Sequence, residues 1–232
     1  MTMSTRDVVQ DIVKHTAGLG FINSVKVTGT EDSTTLDAMD SDRTVILSAK
    51  LHNSVPEFVG EFGLGNLGFL SGVTGLANYQ AEDATIEVVS RDRNGQTFPD
   101  HLMFRDADGN TDQYRFMSKE IIEQTLQTVK FKGVEWDVTF EPTKAKVSEL
   151  TQVAGIYGGI EPNFTVKTED GNLVVTVGAA DGSFTGKRTF AQNVDGELNE
   201  GYAWPLSQVL AILKLGMSGA CVMQISKRGA LQ

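Results

Sequence analysis

One recurring order constrains this chain more than any motif: a helical stretch, then about three strand-like runs joined by polar turns, four times over. The helices start near residues 4, 56, 143 and 205. Residues 4–17 place Val8, Val9, Ile12 and Val13 on one face and Arg6, Gln10 and Lys14 on the other. Ser4 or Thr5 suits the N-cap, and Gly18 suits the end. Strand-like runs follow at 21–28, 34–39 and 43–49. Pro56 opens PEFVGEFGLGNLGFLSGV, which has helical length and a proline at a first-turn position. Its internal glycines each cost about 1 kcal/mol in a helix, so packing must hold it and bring its backbone close to a neighbour. Strands are predicted again at 84–91, 99–105 and 111–117, with DRNGQ and DADGN as hairpin turns.

Residues 118–133 break the hairpin pattern and read as a linker with a short helical turn. Residues 1–117 and 134–232 then form two similar domains. In the second, Val134, Trp136, Val138 and Phe140 alternate as in a half-buried strand. Pro142 starts a third helix, with Val147, Leu150, Val153 and Ala154 inward. Strands follow at 163–168, 173–179 and 187–191, then a short one at 202–205. A fourth helix, PLSQVLAILKLG, leads into a strand at 220–226, and ALQ begins another after a KRG turn. The repeats share a pattern and no evident sequence identity. Hairpin-linked strands with few helices predict antiparallel sheets with helices on one face, the α+β class.

The 232 residues carry 20 Lys+Arg against 30 Asp+Glu, a net charge of −10. That average argues against nucleic acid, whose phosphates need Lys and Arg, yet leaves room for a local basic surface. The lone Cys221 excludes a disulfide framework and a cysteine-based zinc site, and suits a reducing compartment. Beside Val222 and Met223 it reads as a core thiol. No run approaches a membrane span, and the first residues lack a signal-peptide core, so a cytosolic protein is expected.

The motifs that suggest chemistry have plainer readings. Gly63-Leu-Gly65-Asn-Leu-Gly68 fits the dinucleotide fingerprint, with Glu87 at a suggestive distance, but the glycines lie inside the expected helix. Gly182–Arg188 is one residue short of a phosphate loop. Asp106–Asp112 starts like a calcium loop, but its glycine comes early and no closing Glu follows. His15, His52 and His101 show no metal-ligand spacing. No serine sits in a nucleophile elbow. Neither an enzyme nor a metal or cofactor is expected. The basic residues carry more: Arg6 and Lys14 on the first helix, Lys144 and Lys146 on the third, Lys214 on the fourth.

Four helix-plus-strands units in two halves, in an acidic chain with a central linker, resemble the DNA sliding clamps. Among these, the sequence is most similar to the two-domain, trimeric processivity clamps of bacteriophage DNA polymerases. The most clamp-like stretch is YAWPLSQVLAILKLGMSGACVMQISKRGALQ, and EPTKAKVSELTQVAGIYGG with NFTVKTEDGNLVVTVG is the same unit earlier. The resemblance implies two domains, each with sheets outside and two helices lining the inner face, closing as a homotrimeric ring around duplex DNA. DNA-facing roles fall on Arg6, Lys14, Lys144, Lys146 and Lys214, touching phosphates without reading bases. The ring would close through edge strands, 111–117 of one subunit pairing with 187–191 of the next. The implied partners are double-stranded DNA, a DNA polymerase and a clamp loader. A partner peptide would dock beside the linker, with Ile121, Ile122, Leu126, Val129 and Phe131 as the apolar candidates. The second helix, with no Lys or Arg between Lys50 and Arg91, would add little to a positive lining. Clamps usually continue through a last strand where this chain stops. A β-rich phage tail or capsid protein is the alternative; it differs in not needing Arg6, Lys14, Lys144 and Lys214 to face a common channel. A nucleotide-dependent enzyme built on Gly63–Gly68 would need a parallel sheet.

Overall fold

A computed structural model describes residues 4–93, 95–126, 133–179 and 182–232. The chain divides into two compact units, Met1–Phe131 and Lys132–Gln232. In the first unit, helix α1 (Thr5–His15) opens with a reciprocal cap. Asp7 N donates to Ser4 Oγ at 3.2 Å, and Ser4 N donates to Asp7 Oδ2 at 3.1 Å. Val8, Val9 and Ile12 are its buried face. A 3-10 turn follows, and Gly20 closes it in the left-handed region rather than Gly18. Strands β1 (Ser24–Gly29), β2 (Thr34–Met39) and β3 (Ile46–Lys50) form an antiparallel meander.

The stretch after Pro56 departs from the predicted helix. Pro56–Phe58 is a 3-10 turn, β4 (Gly60–Gly65) pairs antiparallel with β1, and only Leu67–Thr74 is helical, as α2. The glycines explain this. A Cβ on Gly63 would stand 2.6 Å from Ile122 Cβ, and one on Gly65 would stand 2.4 Å from Met117 Sδ. A side chain at Gly63 would exclude Ile122, whereas one at Gly65 would require the flexible Met117 side chain to shift. A short helix α3 (Ala77–Gln80) precedes β5 (Thr85–Arg93), β6 (Gln96–Arg105) and β7 (Thr111–Arg115), a second antiparallel sheet in that order. Residues 119–126 form a regular helix, α4 (Lys119–Leu126), not a bare linker turn. Lys26 and Gly63 are cross-strand partners and share a face; Ile122 fills the glycine notch and Glu123 reaches Lys26 Nζ at 3.0 Å. Val25 and Val27 point to the other, core face and are fully buried.

The second unit repeats the plan. Regular strand β8 spans only Val138–Phe140, so Val134 and Trp136 lie before it. Helix α5 (Lys144–Tyr157) is capped by Thr143 Oγ1, which accepts from Lys146 N at 3.3 Å. Strands β9 (Asn163–Glu169), β10 (Asn172–Gly178), β11 (Thr185–Ala191) and β12 (Tyr202–Pro205) form a sheet in the order β11-β10-β9-β12. Helix α6 (Leu206–Gly216) and strand β13 (Met223–Ile225) follow, and β13 pairs with β8. The first unit's order is β3-β2-β1-β4. Thus helix, three-strand meander, returning fourth strand and helix recur in both units. Valines and leucines of α5, α6 and the sheet share one core. Cys221 lies outside regular strand and is half-buried against Gly216, a correction to its core reading.

Candidate nucleic-acid interface

The predicted basic residues divide into free and engaged groups. On α1, Arg6 Nη1 donates to the Ala81 carbonyl at 2.9 Å, and Gln10 Nε2 donates to Gln80 Oε1 at 3.3 Å. This end of the Arg6–Gln10–Lys14 stripe is tied to the segment after α3, while Lys14 stays exposed. Asp7 is the residue next to Arg6, and its hydrogen bonds with Ser4 hold its carboxyl below the ordinary carboxylate value. On α5, Lys144 is exposed, in a stripe with Ser148 and Gln152. Lys146 instead pairs with Glu149 at 2.8 Å, and Glu149 also meets Arg188 of β11 at 3.7 Å. Lys146 therefore lies on the flank towards β11. On α6, Leu206, Val209, Leu210 and Leu213 are buried and Lys214 is exposed.

Charge is segregated within the sequence of these elements. Helices α1, α2, α5 and α6 hold five basic residues and three acidic ones, Asp7, Asp11 and Glu149, in a chain of net charge −10. The other acidic residues lie on strands, turns, α4 and loops. Within each unit the helices pack as a pair, α1 with α2 and α5 with α6. Helix α2 has no charged residue at all.

The candidate peptide-docking residues are not equivalent. Ile122 and Leu126, spaced i and i+4, are buried and hold α4 on its sheet. Ile121 is 51% exposed and faces an open groove with Phe98, Pro99 and Met117. Val129 and Phe131 lie outside the described residues. One kind of residue escaped the sequence reading: exposed large apolar side chains on or beside helices, Phe69, Leu76, Ile156, Ile160 and Phe184. Their only sequence signal was bulk at positions off the buried stripe.

The enzyme-like motifs dissolve in the fold. The G-x-G-x-x-G glycines do stand at a strand–helix junction, contrary to the sequence reading, but β4 is antiparallel to β1, and the described pairings are all antiparallel. Gly182–Arg188 runs from a turn into β11. Asp106 spends its oxygens on Asn110 N and Nδ2 and on Asn78 Nδ2, at 2.8, 2.7 and 2.7 Å. Among the described residues no three His, Cys, Asp or Glu side chains stand together as a metal site, and no helix is long and apolar enough to cross a membrane.

No protein-family model matches the sequence, and no curated protein does. Solved structures do match: the crystal structure of PCNA from Thermococcus kodakaraensis is similar with a TM-score of 0.62 and 12% identity, over 99% of this chain and 94% of that one. At that identity the likeness speaks for the fold alone. PCNA is a sliding clamp, and this chain has the α+β sliding-clamp fold.

Proposed function

We propose that this chain is one subunit of a DNA sliding clamp, a non-enzymatic ring that encircles duplex DNA and keeps a DNA polymerase on it. The full-length fold likeness to PCNA carries the reading. The charge distribution supports it: helices richer in bases than acids, in an otherwise acidic chain, suit a lining that tolerates phosphates within a surface that repels them. Lys14, Lys144 and Lys214 are the leading phosphate contacts, with Arg6 and Lys146 engaged in contacts of their own. The full proposal is the two-domain, homotrimeric kind that phages carry, with 118–133 joining the domains and a clamp loader as a further partner. The ring closes by pairing the free edges of β7 and β11 between copies, each at the end of its sheet. Ile121 and its groove are the exposed part of the peptide site. A tail or capsid component is not favoured, because the fold likeness to a clamp spans the whole chain.

Native mass tests the assembly. Three copies of 25.1 kDa give about 75 kDa. A species of that mass, seen as rings by electron microscopy, is expected; a monomer at every concentration would overturn the proposal.

A further inference from the structure

Strand β6 carries one residue more than β5 opposite it. Val89 pairs with His101 and Ser90 with Pro99, so Asp100 is the extra residue of a bulge. The bulge aims its carboxyl at cations from both neighbouring strands. Asp100 Oδ1 is shared by Arg115 Nη2 of β7 at 3.2 Å and Arg91 Nε of β5 at 3.5 Å, and His101 Nδ1 lies 2.9 Å from Oδ2. The Asp100 side chain is 13% exposed, whereas those of Arg91 and Arg115 are 60% and 58% exposed. Burial pushes the Asp100 pKa up, but His101 and the two arginines outweigh burial and hold it below the ordinary 3.8. One negative charge therefore stands between two positive ones at neutral pH. A guanidinium has five N–H donors, and among the described residues Arg91 and Arg115 each form this one ion pair. Their remaining donors face solvent.

Both arginines line the open groove that Phe98 and Ile121 also line. Arg91 and Phe98 are cross-strand partners, so a cation and an exposed ring are neighbours on one face. Charge is uneven along the groove. The α4 end holds Glu120 and Glu61, and Glu61 is already held by Lys26 and Lys119 at 2.8 and 3.0 Å. The surplus positive charge is at the β5–β7 end.

We infer that Arg91 and Arg115 form a carboxylate receptor, and that the groove selects a partner protein's segment with Asp or Glu next to a large apolar side chain. Asp100 holds the two guanidiniums together, and a ligand carboxylate takes the donors that Asp100 leaves over. The apolar side chain lies on Phe98, beside Arg91. The inference rests on the reading of Ile121 and its groove as a peptide site, and adds the charge that the peptide must carry.

The test is fluorescence anisotropy with short labelled peptides of glycine and serine that differ only in a central Phe-Glu or Phe-Gln. Phe-Glu should bind about tenfold tighter than Phe-Gln, the worth of one charge-assisted contact. Arg91→Gln and Arg115→Gln should each reduce that preference and together abolish it. Binding of Phe-Gln, unchanged in the variants, shows that the groove is still formed. Lys50→Gln, which removes an exposed charge from β3, should leave the preference intact. Equal affinity for the two peptides, or a preference that survives the double variant, overturns the inference and leaves the peptide site standing. A wild type that binds neither peptide overturns both.

Discussion

Asp40 shows how a single carboxylate shapes this chain locally. It follows β2, is 4% exposed, and accepts from Thr44 N, Val45 N and Thr44 Oγ1 at 2.8, 2.8 and 2.7 Å. Burial pushes its pKa up, but the hydrogen bonds from Val45 and Thr44 outweigh burial and hold it below the ordinary 3.8. A folded-state pKa below the unfolded value adds stability above that value, lost as pH falls through the folded one. Asp40→Ala leaves two amides without their acceptor and should cost about 1–3 kcal/mol near neutral pH. Urea unfolding of wild type and variant should show that gap narrowing as the pH drops below 3.8. A gap of equal size in acid would show that the ionised carboxylate is not what closes the turn.

Among the elements, the helices separate ions that hold the structure from ions left for a ligand. Lys144 is exposed, whereas Lys146 is bound to Glu149. Lys144→Gln should lower the salt dependence of DNA binding by about 0.9 in log–log slope for each phosphate it no longer neutralises. Lys146→Gln should change it less. Equal slopes for the two variants, measured by DNA-binding titration over a range of salt, would contradict this division. The amphipathic pattern of α1 and α6, the cap of α1 and the hairpin turns were legible in sequence, because each depends on neighbours a few residues away; the third helix was expected from Pro142, and its cap at Thr143 was not read. The region from Pro56 was not. Gly63 and Gly65 serve Ile122 and Met117, more than fifty residues on, and an apolar run holding a strand and a helix has one periodicity too few to separate them. Helix α4 was underread for the same reason, since its anchor is the notch at Gly63. Of the candidate site, residue type was legible and engagement was not: Arg6 and Lys14 look alike in the sequence, and only the fold puts Ala81 beside one of them.

For the whole molecule, the proposed function requires the charges to be placed unevenly. A chain of −10 should bind DNA poorly from outside, so any lasting hold must come from topology and not affinity. The most direct measurement follows from that. Subunits are diluted until they separate, mixed with nicked circular DNA, reconcentrated so that rings re-form around it, and washed in high salt. Protein should stay on the circles and leave at once when a restriction enzyme linearises them. Protein that washes off circles and linear DNA alike, or that survives linearisation, would contradict the account of this chain as a sliding clamp.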